Sequence, residues 1–198
     1  MNVGLVILAA GESSRMGAPK QLLPIFGKSM LKYLIEEAFE TNCVPVTVVL
    51  GAHKSKIVPE LHNMPISIID NANWASGMGS SIKMGLIGVY MVEKSVDAVI
   101  FMTSDMPFVN AKVLNKMIQI AEEHPEKTIV AAKYNGTVGI PTLFKRSVFE
   151  QLLDIEPKAG AKNIIQANKK DTISFDFDLG SVDLDTKQDY FEFLQSKN

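Results

Sequence analysis

The first residues with evident chemistry form a loop after a short apolar segment. Val3 to Ala9 carry no charge, and the stretch from Ala10 to Lys20 has glycine near each end, two serines and two cations. A short uncharged run that ends at a glycine turn predicts a buried strand of a parallel sheet. Free N–H groups in such a turn bind anions, and Arg15 and Lys20 add positive charge for phosphate oxygens. The stretch therefore predicts a polyphosphate site at the C-terminal end of a central strand, where ligands of open α/β sheets bind.

A carboxylate follows another apolar segment in the same way. Ala98 to Met102 is uncharged, and Asp105 comes three residues later, just before Pro107. Mg²⁺ in phosphate-binding sites takes one or two carboxylates together with phosphate oxygens, so Asp105 is a candidate metal ligand. The alternative is that Asp105 only shapes the turn before the proline.

A second acidic pair, Asp183 and Asp185, precedes the last predicted helix. In an extended segment the two side chains point to the same side, so both are candidates for one site. The alternative for Asp185 is a role in capping the helix that begins after Thr186.

The stretch from Asn71 to Ser81 places glycines and serines at the start of a predicted helix. Gly79, Ser80 and Ser81 could bind an anion, because the first N–H groups of a helix have no partner within it. Trp74 could stack on a ring. Helix capping by Ser80 and core packing of Trp74 are the alternatives.

The first of these motifs resembles a known signature. Residues Leu8 to Pro24, L-A-A-G-E-S-S-R-M-G-A-P-K-Q-L-L-P, are similar to the signature loop of nucleotidyltransferases with a glycosyltransferase-A-like fold. Within that group they are most similar to the molybdenum cofactor cytidylyltransferase (MobA-like) branch. Asn71 to Ser81, Asp105 with Pro107, and Gly136 to Pro141 also resemble this branch. The chain departs from it at Met106, where the branch usually carries Gln, and between Lys158 and Lys162.

The resemblance implies a reaction and a set of site residues. A phosphate of a molybdopterin-type acceptor would attack the α-phosphorus of CTP, with Mg²⁺ as cofactor, and the product would pass to a molybdenum hydroxylase. Arg15, Lys20 and Asp105 would be catalytic, Asp105 and Asp185 would hold the metal, and Gly136 to Pro141 would line the acceptor pocket. The nucleotide would contact Leu8, Ala9, Ala10, Gly11, Arg15, Lys20, Gly79, Ser80 and Ser81.

One position in the loop bears on the base. Related guanylyltransferases resemble L-A-G-G where this chain has Leu8-Ala9-Ala10-Gly11. The methyl group of Ala10 would narrow the slot for the base, which favours CTP over GTP.

Two other functions remain open from the sequence. The first is a cytidylyl- or uridylyltransferase that acts on a sugar or polyol phosphate. The second is a nucleotide-binding regulatory protein without turnover, against which the intact Arg15, Lys20 and Asp105 argue.

The order of elements predicts the fold. Strands are expected at 3–9, 44–50, 66–69, 98–102, 128–132 and 172–177, and helices at 31–39, 54–61, 80–92, 111–121, 147–153, 160–167 and after Thr186. This alternation predicts a single nucleotidyltransferase domain over residues 1–198, a three-layer α/β/α, Rossmann-like fold with a mainly parallel sheet. Asn135-Gly136 signals a hairpin turn, and Thr142 to Phe144 is expected to run antiparallel at an edge.

Composition excludes several classes of protein. Hydrophobic residues make up 46% of the chain, which is ordinary for a globular protein. The net charge is −2, so no positive field of the whole chain favours binding to nucleic acid or to a membrane surface. The single Cys43 rules out an internal disulfide. No segment has the length of a membrane helix or the pattern of a signal peptide, and a cytoplasmic enzyme is expected.

Overall fold

Strands alternate with helices along the chain, as the apolar pattern predicts. The computed structural model describes residues 1–196. The strands are β1 (Val3–Ala9), β2 (Pro24–Ile25), β3 (Lys28–Ser29), β4 (Val46–Leu50), β5 (Ser67–Asp70), β6 (Ala98–Thr103), β7 (Ile129–Tyr134), β8 (Thr137–Lys145) and β9 (Thr172–Asp176). The helices are α1 (Met30–Phe39), α2 (Lys54–Ile57), α3 (Met78–Val92), α4 (Ala111–Glu123), α5 (Phe149–Leu153), α6 (Ala161–Ala167) and α7 (Lys187–Gln195). Within residues 1–196 no helix is both long and apolar enough to cross a membrane.

The seven longer strands form one sheet in the order β5-β4-β1-β6-β8-β7-β9. Neighbouring strands are parallel except where β8 pairs with β6 and β7. Strands β2 and β3 form a separate antiparallel ribbon. The structure thus confirms the predicted single-domain α/β fold with a mainly parallel sheet.

Helices cover both faces of this sheet. One apolar cluster joins α1, α4 and the buried Phe193 of α7 to the sheet, and a second joins α3, α5 and α6 to its other face. Strand β1 supplies both clusters, with Leu5 and Ile7 in the first and Val6 and Leu8 in the second. Burial on both faces explains why β1 is an unbroken apolar run and not an alternating one.

The position of β8 differs from the sequence-based expectation. Thr142 to Phe144 run antiparallel as predicted, but β8 lies inside the sheet between β6 and β7, and β9 forms the edge. Asn135 and Gly136 have φ of 49° and 70°, and they join β7 and β8 in a hairpin. The turn residues identify the hairpin, but they do not tell which of its strands meets β6.

Two predicted elements also differ from the expectation in their boundaries. The helix predicted at 54–61 is divided, because Pro59 has no N–H to continue the α-helical pattern, and a 3₁₀ turn follows Ile57. The second long strand begins at Val46 and not at Val44.

Candidate active site

The predicted site residues lie along the C-terminal edge of the sheet. Strands β1 and β6 are neighbours, and just beyond them the N–H of Ser104 donates to the carbonyl oxygen of Leu8 at 3.1 Å. The N–H of Leu184 donates to the carbonyl oxygen of Asp105 at 2.9 Å, which holds the segment before α7 beside the end of β6. Three loops that are distant in sequence therefore surround one site.

Gln21 holds the loop after β1 in shape. Its side chain is fully buried, and Nε2 donates to the carbonyl oxygens of Ala9 at 2.9 Å and Gly11 at 3.3 Å. The N–H of Lys20 donates to Oγ of Ser13 at 3.2 Å, and Ser13 has a left-handed φ of 56°. These contacts set the direction in which Lys20 leaves the loop. The sequence carries no signal for this role, because a glutamine after a loop lysine is ordinary at an exposed position.

Lys20 connects the two predicted metal ligands. Its Nζ lies 2.5 Å from Oδ2 of Asp105 and 2.9 Å from Oδ1 of Asp185, and Nη2 of Arg15 lies 2.8 Å from Oδ2 of Asp185. The side chains of Lys20 and Asp105 are each only 15% exposed. Oδ1 of Asp105 is buried and has no hydrogen-bond partner within residues 1–196. The four side chains thus form one cluster in which cations neutralise carboxylates.

The charges of this cluster shift its pKa values. Burial would lower the pKa of Lys20, but Asp105 and Asp185 raise it above its ordinary value. Burial would raise the pKa of Asp185, but Lys20 and Arg15 lower it below its ordinary value. Burial and the charges of Asp105 and Asp185 raise the pKa of Asp183 to about 6. Three carboxylates thus face two cations, and this excess of negative charge favours a bound divalent cation.

We expect Asp183→Asn to raise the midpoint of thermal unfolding at pH 8 and to raise it by a smaller amount at pH 5. The folded protein holds the Asp183 proton up to about pH 6, whereas an unfolded aspartate loses it near pH 3.9. Stability is therefore lost as the pH rises through about 6, and the amide removes that loss.

Thermal unfolding at both pH values, with the exposed Asp171→Asn as control, tests this prediction. A variant that is less stable than the wild type at pH 8, or a gain that is equal at both pH values, would contradict it.

Two cavities meet at Lys20 and Asp105. The first, of about 320 Å³, lies between the loop after β1 and the start of α3, and Ala10, Trp74 and Ser81 line it. The second, of about 520 Å³, extends toward the β7–β8 hairpin and the start of α6. Both are lined by Lys20, Asp105, Met78 and Thr103. A group held in one cavity would therefore meet a group held in the other at Lys20 and Asp105.

The predicted nucleotide-binding residues do not all line the same cavity. The first cavity is lined by Leu8, Ala10, Gly11, Lys20 and Ser81. Arg15 lines the second cavity. Ala9 lines neither, because its side chain is buried in the core and its carbonyl oxygen accepts from Gln21.

Gly79 and Ser80 make contacts within the protein. The N–H of Gly79 donates to the carbonyl oxygen of Pro157 at 2.9 Å, and a Cβ at Gly79 would lie 2.1 Å from the carbonyl oxygen of Glu156. The hydroxyl of Ser80 donates to the carbonyl oxygen of Gly77 at 2.8 Å. Neither residue lines the first cavity. Glycine at position 79 thus serves the close approach of the 156–159 segment. Ser80 donates to carbonyl oxygens and does not take the capping role left open by the sequence, because the N-cap of α3 is Gly77 and no side chain caps it.

Asn71 orients Ser81 in the first cavity. Asn71 is 1% exposed, and its Nδ2 donates to Oγ of Ser80 at 2.9 Å and to Oγ of Ser81 at 3.0 Å. Because the oxygen of Ser81 accepts from Asn71, its own hydrogen is left to donate to a ligand. The sequence motif contained Asn71, but only the folded structure shows that it is buried beside these serines.

Thr186 and Asp189 take the capping role that was left open for Asp185. The N–H of Asp189 donates to Oγ1 of Thr186 at 3.2 Å. Oδ2 of Asp189 accepts from the N–H groups of Thr186 at 2.7 Å and Asp185 at 3.2 Å. This reciprocal arrangement is a capping box. The carboxylate of Asp185 is thereby held at the helix start and left free to face Lys20.

The cluster fits a cation that arrives with its own phosphate ligands. Within residues 1–196, no group of three or more His, Cys, Asp or Glu side chains is arranged to hold a metal ion. Asp105 and Asp185 nevertheless reach one common cation, the ammonium of Lys20, and Asp105 keeps one unpartnered oxygen. Two carboxylate ligands are what Mg²⁺ uses when phosphates complete its coordination.

Comparison with characterised sequences gives partial matches. Nicotine blue oxidoreductase of Paenarthrobacter nicotinovorans is 38% identical over 81 residues, which are 40% of this chain and 40% of that protein. Bifunctional protein GlmU of Legionella pneumophila (strain Lens) is 27% identical over 165 residues, which are 80% of this chain and 34% of that protein. The chain thus spans less than half the length of either relative.

Comparison with solved structures gives matches over the whole fold. The crystal structure of Rv0371c from Mycobacterium tuberculosis H37Rv aligns with a TM-score of 0.84 and 25% identity, and 98% of each chain is covered. A structure of Rv0371c in complex with manganese aligns with a TM-score of 0.81 and 23% identity, over 99% of this chain and 100% of that one.

One family covers most of the chain. Residues 5–172 match the family described as MobA-like NTP transferase domain. The matched part includes the loop after β1 with Lys20 and the end of β6 with Asp105. The chain therefore belongs to the MobA-like NTP transferase family.

Proposed function

We propose that the protein transfers CMP from CTP to the terminal phosphate of a molybdopterin-type acceptor and releases pyrophosphate. The observation that carries the proposal is the junction of two cavities at Lys20 and Asp105. A transfer between two substrates needs such a junction, because the reacting atoms must be held within about 3–3.5 Å of each other. Family membership and the loop from Leu8 to Pro24 support nucleotidyl transfer.

In this proposal the first cavity holds CTP. The base lies beside Ala10 and Ser81, and the triphosphate extends toward Lys20. Lys20 and Arg15 exchange their carboxylate partners for phosphate oxygens and offset the charge on the departing pyrophosphate. This exchange keeps both cations paired throughout, so the mostly buried Lys20 is never left without an anion.

Asp105 and Asp185 would hold Mg²⁺, with the unpartnered Oδ1 of Asp105 as one ligand atom. The metal would supply positive charge to the phosphoryl oxygens as the bond to the leaving group breaks. Asp183 lines the second cavity beside them and adds negative charge.

The second cavity would hold the acceptor. Its phosphate would reach the α-phosphorus beside Lys20, Met78, Thr103 and Asp105, which line both cavities. Phosphoryl-type transfer depends mainly on positioning and charge stabilisation. The reaction therefore needs no covalent intermediate on a protein side chain. The product would then pass to a molybdenum hydroxylase.

We expect Ala10→Gly to relax the preference for CTP over GTP by about tenfold. Ala10 lines the first cavity, and a methyl group that crowds a purine costs about 1–3 kcal/mol. The measurement is the ratio of kcat/KM for CTP and GTP in the wild type and the variant. An unchanged ratio, or a wild type that prefers GTP, would mean that the base is recognised elsewhere.

Pyrophosphate release with a panel of acceptors tests the proposed function. The protein is incubated with CTP, Mg²⁺ and either molybdopterin, a polyol phosphate or a sugar 1-phosphate, with Asp105→Asn as the control. Release that requires molybdopterin, with a CMP adduct detected by mass spectrometry, is the expected result. Release with a sugar or polyol phosphate alone would replace the acceptor, and CTP binding without any release would indicate a regulatory protein.

A further inference from the structure

A third cavity lies beside the second, and the transfer step gives it no role. It has a volume of about 470 Å³ and is lined by the β7–β8 turn, α6 and β9. Its polar lining includes Lys162, Lys169, Gln166 and Ser174, and it contains no Asp or Glu. The charge of the lining is therefore positive.

The two lysines of this cavity have no anionic partner. Among the ion pairs of residues 1–196, neither Lys162 nor Lys169 occurs, whereas the nearby Lys133 lies 3.7 Å from Asp176. Two ammonium groups that line one cavity repel each other, and an anion between them would be attracted to both. The lining is thus suited to phosphate, carboxylate or another oxyanion.

The third cavity adjoins the second. Thr137, Val138 and Lys162 line both of them. The second cavity in turn meets the first at Lys20 and Asp105. A molecule with its phosphate at Lys20 could therefore extend past Val138 and reach Lys169 with its far end.

We propose that the third cavity binds an anionic group of the acceptor that is remote from the reacting phosphate. This inference rests on the proposed function only in placing the acceptor in the second cavity. Lys162 and Lys169 donate charge-assisted hydrogen bonds to the remote anion. Val138 and Ile165 pack against the part of the molecule that joins the two anionic ends. The acceptor is accordingly an elongated phosphate monoester with a second negative charge.

The experiment uses probes that carry only a phosphate monoester at one end and a second negative charge at the other. Binding of α,ω-alkanediol bisphosphates of graded chain length is compared with binding of the matching alkyl monophosphates by calorimetry. Each titration contains the intact chain, Mg²⁺ and a non-hydrolysable CTP analogue. At one chain length the bisphosphate is expected to bind about tenfold more tightly than its monophosphate, as an added charged hydrogen bond predicts.

Variants at Lys169 and Lys170 test whether the tighter binding of the bisphosphate depends on the third cavity. Lys169→Gln is expected to remove the advantage of the bisphosphate and to leave binding of the monophosphate unchanged, because Lys169 lines only the third cavity. Lys169→Arg is expected to retain it. Lys170→Gln is the matched control, since Lys170 is the next residue and is exposed like Lys169, but does not line the cavity.

Three results would overturn the inference. The first is a wild type in which no bisphosphate, at any length, binds more tightly than its monophosphate. The second is an equal loss of the advantage in Lys169→Gln and Lys170→Gln. The third is inorganic phosphate that binds at Lys169 without lowering the affinity for the bisphosphate, which would mean an anion site separate from the acceptor. The probes contain no pterin, so a failure of molybdopterin as acceptor would leave these outcomes intact.

Discussion

Asp105→Asn is expected to lower nucleotidyl transfer by roughly a hundredfold or more and to leave the fold intact. Asp105 contributes Oδ2 to Lys20 and an unpartnered buried Oδ1 to the proposed metal site. A neutral amide has one oxygen where the carboxylate has two, and it cannot balance the charge of a divalent cation. The transition state therefore loses the metal's charge at the phosphoryl oxygens.

The measurement is turnover with CTP at saturating Mg²⁺, together with the midpoint of thermal unfolding. Asp183→Asn is the matched control, because it removes a carboxylate that lines the same cavity but forms no ion pair with Lys20 among residues 1–196. A much larger loss in Asp105→Asn than in Asp183→Asn is expected. Near-normal turnover of Asp105→Asn would contradict its assignment as a metal ligand.

Lys20→Met is expected to have two opposite effects, a loss of transfer and a gain of metal affinity. Transfer should fall by roughly a hundredfold, because the triphosphate loses a positive charge placed beside it. Binding of Mn²⁺ without nucleotide should become about tenfold tighter, which corresponds to about 1.4 kcal/mol. In the wild type the ammonium lies 2.5 Å from Asp105 and 2.9 Å from Asp185, where it blocks a metal ion and repels it.

Calorimetric titration with Mn²⁺ in the absence of CTP tests the second effect. Mn²⁺ is chosen because it takes the same carboxylate ligands as Mg²⁺. Lys28→Met is the control, since Lys28 pairs with Glu36 away from the site. Mn²⁺ binding that is unchanged or weaker in Lys20→Met would show that Lys20 does not compete with the metal.

Local sequence patterns were sufficient for the fold and for the loops that carry the site. The apolar run of β1 predicts a central buried strand, and the glycines and cations after it predict an anion-binding loop. Asp105 could be assigned to the end of a strand from the uncharged residues 98–102 alone. The inferences about strands and turns succeed because strand burial and turn formation depend on residues that are neighbours in the chain, and anion binding by the loop stays a prediction.

The contacts between distant segments had to come from the tertiary structure. Lys20 is 85 residues from Asp105 and 165 from Asp185 in sequence, and only the packing of three loops brings them together. A lysine on a polar loop is expected to be exposed and dispensable for stability, yet its side chain is 15% exposed and bonded to two carboxylates.

The sequence by itself determined which residues could do the chemistry, and the tertiary structure decided which of them meet. Strand β8 lies inside the sheet because, of the two strands in the β7–β8 hairpin, β8 is the one that pairs with β6. Gly79 serves a close backbone contact, while Gln21 orients the loop after β1. In each case the residue type permits several roles, and the choice depends on a partner from another part of the chain. A buried polar group must find such a partner, and only the fold shows which partner lies within hydrogen-bond distance.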